Sequence, residues 1–327
     1  MTAARSLLLA CTVGVGIAQA EQPGRELRLA LLQYGTVSWE IDALLHHRLD
    51  EAAGVNLEIT PVGSPNAAVV ALQGGAVDAV VSDWIWVARQ RAEGRTWTFA
   101  PYSLAVGSVL VRPDAGIERL EQLVGKKLGV AGGPVDKSWL LLRAYARRTL
   151  GKDLADLVEP TYGAPPLLNE LALRGDLPAL INYWHYGARL EAAGFRPLIS
   201  VSQVLQGLGV ERPVPLLGWV FDQNWADAHA ATMNAFLQAT YRAKAILAES
   251  DAEWERLRPL TRAEDDATLV ELREAYRDGI PRHFDAADRA AAARVFEILA
   301  EEGGSDLVGS ATRLPEGTFW DGFQPSP

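Results

Sequence analysis

Cysteine is nearly missing from this chain. The single one, Cys11, sits in an apolar stretch at the N-terminus, so a chain processed beyond it carries neither a disulfide nor thiol chemistry. Histidine is scarce as well. The five are His46, His47, His185, His229 and His283, and none is spaced from another histidine or a cysteine as a metal site requires. His46-His47 therefore reads as a surface pair, and no metal is expected. No nucleophile elbow, phosphate-binding glycine loop, zinc-protease helix or dinucleotide glycine triplet occurs, so no catalytic residue and no cofactor is assigned. Basic residues are outnumbered, 31 against 41 acidic, which argues against nucleic acid as a partner. An anionic ligand stays open, because backbone dipoles in a cleft can outweigh net charge. No run of about 18 apolar residues follows the N-terminal segment, and a soluble mature chain is expected.

That N-terminal segment is itself informative. Arg5 precedes an apolar run from Ser6 to Ile17, and Ala18-Gln19-Ala20 is a small-x-small cleavage site. Together they make a secretory signal peptide, cut after Ala20. A lipid anchor at Cys11 is the rival reading, weakened by how little apolar chain precedes it. The 327 residues are about twice a usual domain, which points to two lobes.

The stretch Ser64 to Gly94 shows how the lobes are built. Ser64 is an N-cap, Pro65 opens a helix and Gly74 ends it. Ala76 to Val81 is short, apolar and β-branched, as a strand covered on both faces is. Around it stand strands at Leu27–Gln33, Val55–Pro61 and Thr96–Tyr102, and a helix capped by Ser38 that runs to about Ala53. This βαβαβ series predicts a parallel sheet between helices. A second series follows, with strands at Lys126–Gly132, Val158–Tyr162, Pro178–Asn182 and Pro197–Val201. Leu216–Phe221 is a further strand expected to return to the first lobe, and Trp225 to about Glu302 is helical. Crossovers near Val109–Arg112 and Gln206–Pro215 complete an α/β chain of two lobes: residues 1–20 as leader, 21–111 as the first part of lobe 1, 112–206 as lobe 2, and 207–327 as the return to lobe 1 with a C-terminal helical extension.

Ligands of open parallel sheets bind at the carboxyl ends of the strands, so the site residues are sought at strand tips. The first tip offers Tyr34 and Thr36. The third offers Ser82 and Asp83, with Asp83 either facing the cleft, capping the next helix, or both. The loop Gly133 to Ser138 opens a helix: its N–H groups could hold an anion, or Asp136 could simply cap them. Lys137 and Ser138 belong to the same loop, and His185 follows the strand ending near Asn182. Trp39, Trp84, Trp184 and Trp219 each fall at a strand end or crossover. Four indoles so placed suggest an aromatic-lined pocket fit for a flat ring, an apolar tail or an amine.

Several phrases carry a family resemblance: Ala71-Leu72-Gln73-Gly74-Gly75-Ala76-Val77-Asp78, Leu120-Glu121-Gln122-Leu123-Val124-Gly125-Lys126-Lys127-Leu128-Gly129-Val130, the Gly35-Thr36 tip, and Asn182-Tyr183-Trp184 before Arg189-Leu190-Glu191. With them the chain resembles the periplasmic substrate-binding proteins of ABC importers, in the branch for sulfonates, taurine, nitrate and pyrimidine precursors. The resemblance implies a type II periplasmic binding protein fold, a monomer in the periplasm, a small-molecule ligand held between the lobes, and delivery to an inner-membrane permease. One loop departs from that branch. Where sulfonate and nitrate binders have a small Ser/Thr-rich loop, this chain has Gly132-Gly133-Pro134-Val135-Asp136-Lys137-Ser138. Pro134 has no N–H to give and Asp136 repels an anion, which counts against a simple sulfonate. The alternatives are an enzyme on the same fold, like those of the menaquinone and pyrimidine pathways, or a periplasmic accessory or sensor protein that serves no permease.

Overall fold

The computed structural model describes residues 25–33 and 35–325; the leader, Cys11, the cleavage position after Ala20, and Tyr34 lie outside the described residues. The chain opens with β1 (Arg25–Leu32), α1 (Val37–His46), α2 (Leu49–Ala53), β2 (Val55–Val62), α3 (Pro65–Gln73), β3 (Ala79–Asp83), α4 (Trp84–Ala92) and β4 (Trp97–Ser103). The second series is β5 (Ser108–Val111), β6 (Lys127–Ala131), α5 (Lys137–Leu150), α6 (Leu154–Leu157), β7 (Glu159–Gly163), α7 (Pro165–Leu173), β8 (Ala179–Asn182), α8 (Trp184–Ala192), β9 (Arg196–Ser200) and α9 (Val201–Gly207). A return strand, β10 (Leu217–Asp222), leads into α10 (Gln223–Ala228), α11 (Ala230–Glu249), α12 (Asp251–Thr261), α13 (Asp266–Asp278) and α14 (Ala286–Val308).

The strands form two five-stranded sheets, ordered β2-β1-β3-β10-β4 and β7-β6-β8-β5-β9. In each, four strands run in one direction, three of them paired side by side in parallel. The strand that arrives from the other sheet, β10 or β5, runs antiparallel to both its neighbours. The direction follows from connectivity. A chain crossing between lobes enters at the carboxyl ends of the parallel strands, so it must run back against them. The first crossing lies between Ser103 and Ser108, ahead of the Val109–Arg112 expected, because β5 already belongs to the second sheet.

Period-two alternation sorts the first sheet's two faces. Leu27, Leu29, Ala79, Ala100, Trp219 and Phe221 share a core with Ile41, Leu44 and Phe236 from the helices α1 and α11. Ala30, Val80, Phe99 and Val220, one residue out of step, join Trp84 of α4 and Val295 and Phe296 of α14. That second core continues into Trp139 and Leu141 of α5 and Val109 and Val130 of the second sheet. The C-terminal extension thus touches both lobes: α14 packs on α4 and α5, and α13 packs on α8.

Local chemistry explains most boundaries. Ser64 accepts the Ala67 N–H at 3.2 Å with Pro65 at the first helical position. The helix expected from Ser38 to Ala53 is instead two. Arg48 adopts φ 54 between them, and the turn lets Leu49 pack on the same core as Leu44. Thr36, not Ser38, occupies the N-cap position, while the Ser38 hydroxyl donates back to the Gly35 carbonyl. The helix α9 replaces the end of an expected strand. Ser200 and Gln203 form a capping box there, a signal legible in the sequence.

Candidate functional site

Strand tips of the two sheets meet through an ion pair. Asp83 closes β3 and caps α4, so one carboxylate oxygen accepts the Trp86 N–H at 2.9 Å. The other accepts the Lys137 ammonium at 2.8 Å. Lys137 is the first residue of α5, beyond the tip of the second sheet's β6, so the pair joins the two lobes. Both side chains are largely enclosed, 17% exposed for Asp83 and 31% for Lys137. Burial pulls the Lys137 ammonium down, but Asp83 outweighs it and holds the amine above its ordinary value. Asp83 thus caps α4 with one oxygen and reaches the other lobe with the second.

The loop before α5 is resolved toward capping. Asp136 accepts the Ser138 and Trp139 N–H groups at 3.0 and 3.2 Å. Those donors are the ones an anion would need at this helix end, and the chain's own carboxylate takes them. Burial raises the Asp136 carboxyl against these bonds and the neighbouring Lys137. Gly132 and Gly133 hold φ of 84 and 125, which only glycine adopts at little cost. A Cβ on Gly132 would sit 2.8 Å from the Tyr183 hydroxyl and 3.1 Å from Asp136 Oδ2. The glycine is what lets the tip of β8 dock on the tip of β6. Tyr183 is the residue sequence reasoning passed over, although its place directly after a strand was visible. Burial raises its phenol, with Asp136 and Asp83 adding to the effect against Lys137.

Two of the four tryptophans come together and two do not. Trp39 of α1 and Trp184 of α8 meet edge to face, centroids 5.9 Å apart, and Trp254 backs Trp39 at 6.0 Å. Trp84 and Trp219 are fully buried in the cores of the first sheet and line no cleft. Trp84 begins α4, where the helical turn rotates it away from the Asp83 tip; its indole donates to the Pro215 carbonyl at 2.9 Å. Trp219 faces α11, edge to face with Phe236 at 4.9 Å. Ser82 is half-buried opposite Gly218.

Thr36 stands over a polar knot. Glu40 of α1, Lys244 of α11 and Tyr276 of α13 are all buried. Lys244 pairs with Glu40 Oε2, and the Tyr276 hydroxyl donates to the same oxygen at 2.7 Å. The ammonium also lies 3.9 Å from the centre of the Tyr102 ring. Burial and Glu40 push the Tyr102 phenol well above its ordinary value, and only Thr36 opposes them.

His185 packs against Trp184 and Tyr186, centroids at 5.5 and 4.5 Å. Its Nδ1 is buried without a hydrogen-bond partner. Burial, then Arg189, lowers the imidazole from 6.5 to about 3. Protonation therefore favours the unfolded chain: the contribution is whole above 6.5 and is lost as pH falls from there toward about 3. In His185→Gln this part of the acid sensitivity should vanish, read as a smaller difference between urea midpoints at neutral and mildly acid pH than in the parent. An equal difference in both proteins would contradict it.

Beside Trp184 a pocket of about 350 Å3 opens between the crossover Leu104–Ser108 and the helices α8 and α13, with Glu191, Glu271 and Asp278 on its walls. Burial, reinforced by Glu271, raises the Glu191 carboxyl.

Two mixed sheets, each flanked by helices, facing each other across strand tips and joined by two crossovers, make the fold of the two-lobed periplasmic binding proteins. Residues 51–159 match the family model described as NMT1/THI5 like. Among solved structures, the chain is similar to the periplasmic aliphatic sulphonate binding protein SsuA from Escherichia coli, with a TM-score of 0.71, 17% identity, and 92% of this chain and 95% of that one covered. It is similar to the alkanesulfonate-binding protein SsuA from Xanthomonas axonopodis pv. citri bound to MOPS, with a TM-score of 0.66, 15% identity, and coverage of 90% and 98%. A desulfurization enzyme, DSZB, shares the fold too, with a TM-score of 0.57, 15% identity, and coverage of 88% and 97%. No curated protein sequence matches the chain.

Proposed function

We propose that the chain is a periplasmic solute receptor of an ABC importer, exported by its leader and working as a monomer. Its lobes hold a small organic molecule between their strand tips and present it to a permease. One observation supports this reading: the Asp83–Lys137 pair, 2.8 Å apart, joins the two lobes at their strand tips. Two largely enclosed opposite charges, one from each lobe, satisfy each other. A guest entering between them must replace what each loses. The ligand that does so carries an amine for Asp83 and an acidic group for Lys137, with Tyr183 beside it. A simple sulfonate lacks the first group, and Asp136 denies it the helix N-terminus.

The test is calorimetry on the processed protein with a panel: amino sulfonates, amino acids, plain alkanesulfonates and aromatic amines. Ligands bearing both charges should bind best. Asp83→Asn and Lys137→Met should each weaken the best ligand by about 1.5–3 kcal/mol, the range for charge-assisted hydrogen bonds. Unchanged affinity in both variants would remove the pair from the site. The bound molecule should be recovered intact by mass spectrometry. The desulfurization enzyme among the structural neighbours makes that arm necessary, and turnover would favour the enzyme reading.

A further inference from the structure

The sequence separates His46-His47 from any third ligand, but the fold supplies one. Glu253, at the start of α12, reaches the end of α1, and its Oε2 lies 3.2 Å from His47 Nε2. The His46 and His47 rings are perpendicular, centroids 5.0 Å apart. One ligand atom from each of the three residues lies within 4.8 Å of the others. We propose that His46, His47 and Glu253 form a divalent-metal site suited to zinc.

Zinc binds imidazole nitrogen and carboxylate oxygen at about 2.0–2.2 Å, which puts neighbouring tetrahedral ligands about 3.3 Å apart. The His47–Glu253 separation already has that length. His46 is exposed, so a rotamer change is open to it. Glu253 is the fixed member, 6% exposed, and its orientation is set from behind. Arg256 places Nε and Nη2 on Oε1 at 3.0 and 2.7 Å, leaving Oε2 turned to the histidines. Ser250 accepts the Glu253 N–H at 3.1 Å and pins the helix start. A carboxylate held by an outer partner is how metal ligands are commonly oriented. Two histidines and one carboxylate leave a fourth position on the solvent side, where water completes the set.

The other cluster of this kind among the described residues, His283, Asp285 and Asp288, fails the same reasoning. The Arg212 guanidinium already lies 2.7 Å from Asp288, 3.1 Å from Asp285 and 3.3 Å from His283, so a cation occupies the place of the metal. At Glu253 the guanidinium takes only the oxygen that faces away. The proposed site would clip α1 to α12 behind the Trp39–Trp254 contact and so brace the helix that carries Trp39.

The test uses the full processed chain, stripped of metal and free of a histidine tag. Titration with Zn2+ should show one equivalent bound, Co2+ should give the visible absorption of a low-symmetry site, and Zn2+ should raise the melting temperature. Losing an outer-shell partner costs 10–100-fold, so His46→Gln and His47→Gln should each weaken Zn2+ by at least about tenfold, and Arg256→Met by a similar factor. Both histidines are on the surface, and circular dichroism checks that the variants stay folded. Absence of Co2+ absorption, or Zn2+ binding equally well to both histidine variants, would overturn the proposal.

Discussion

Lys244→Met should lower the stability of the protein by about 3–5 kcal/mol, the cost of leaving one member of a buried ion pair alone. The geometry makes this a severe case. Glu40 is wholly buried, and its Oε1 has no hydrogen-bond partner even with the lysine in place. Removing Lys244 leaves the carboxylate with the Tyr276 hydroxyl alone. Burial already raises the Glu40 carboxyl and lowers the Lys244 ammonium, each opposed by its partner. In the single variant only the Tyr276 hydroxyl still opposes the first effect, and the carboxyl should move further up. The Tyr102 ring also loses the ammonium that rests on it. Equilibrium urea unfolding measures the loss. The double variant Glu40→Leu with Lys244→Met should recover most of it, since a well-packed apolar pair does not need the charges. Losses that simply add in the double variant would show that the two residues do not act as a pair.

Trp84→Ala should cost about 3–5 kcal/mol of stability, the range for truncating a buried tryptophan, and should leave ligand affinity per folded molecule unchanged. In sequence the residue sits beside Asp83 and reads as a pocket wall. In the fold it is fully buried, edge to face with Phe319 at 5.8 Å, and it donates to the Pro215 carbonyl. Truncation opens a cavity in the core shared by α4 and α14 and leaves that carbonyl without its donor. Calorimetry under conditions where the variant is folded separates the two outcomes. A loss of affinity without a loss of stability would return Trp84 to the cleft.

Both predictions turn on the difference between where a residue falls along an element and which way it faces. Strand tips were legible. Asp83, Asp136, Lys137 and Trp184 all lie where turn chemistry and hydrophobic period placed the ends of strands and starts of helices. Facing was not. Asp83 and Trp84 are neighbours in the chain, yet the first caps the helix and reaches Lys137 while the second, about 100° further round, points into the core. Trp219 was misplaced for a similar reason. On a strand buried on both faces, alternation separates the faces without saying which one meets the ligand. The antiparallel course of β5 and β10 was illegible too, because strand direction is set by the partner and not by the strand.

The amino-acid sequence by itself determined the class of this protein: its βαβ order, its caps and glycine stops, and its division into two like series. These are local properties, carried by periods of 2 and 3.6 residues and by backbone preferences of single residues. Only the tertiary structure decided the pairs. Asp83 and Lys137 are 54 residues apart, and Lys244 and Glu40 are 204 apart. Such partners meet through the order of the strands and the rotation of each helix on its sheet. Those are collective outcomes of packing, and no window of sequence contains them.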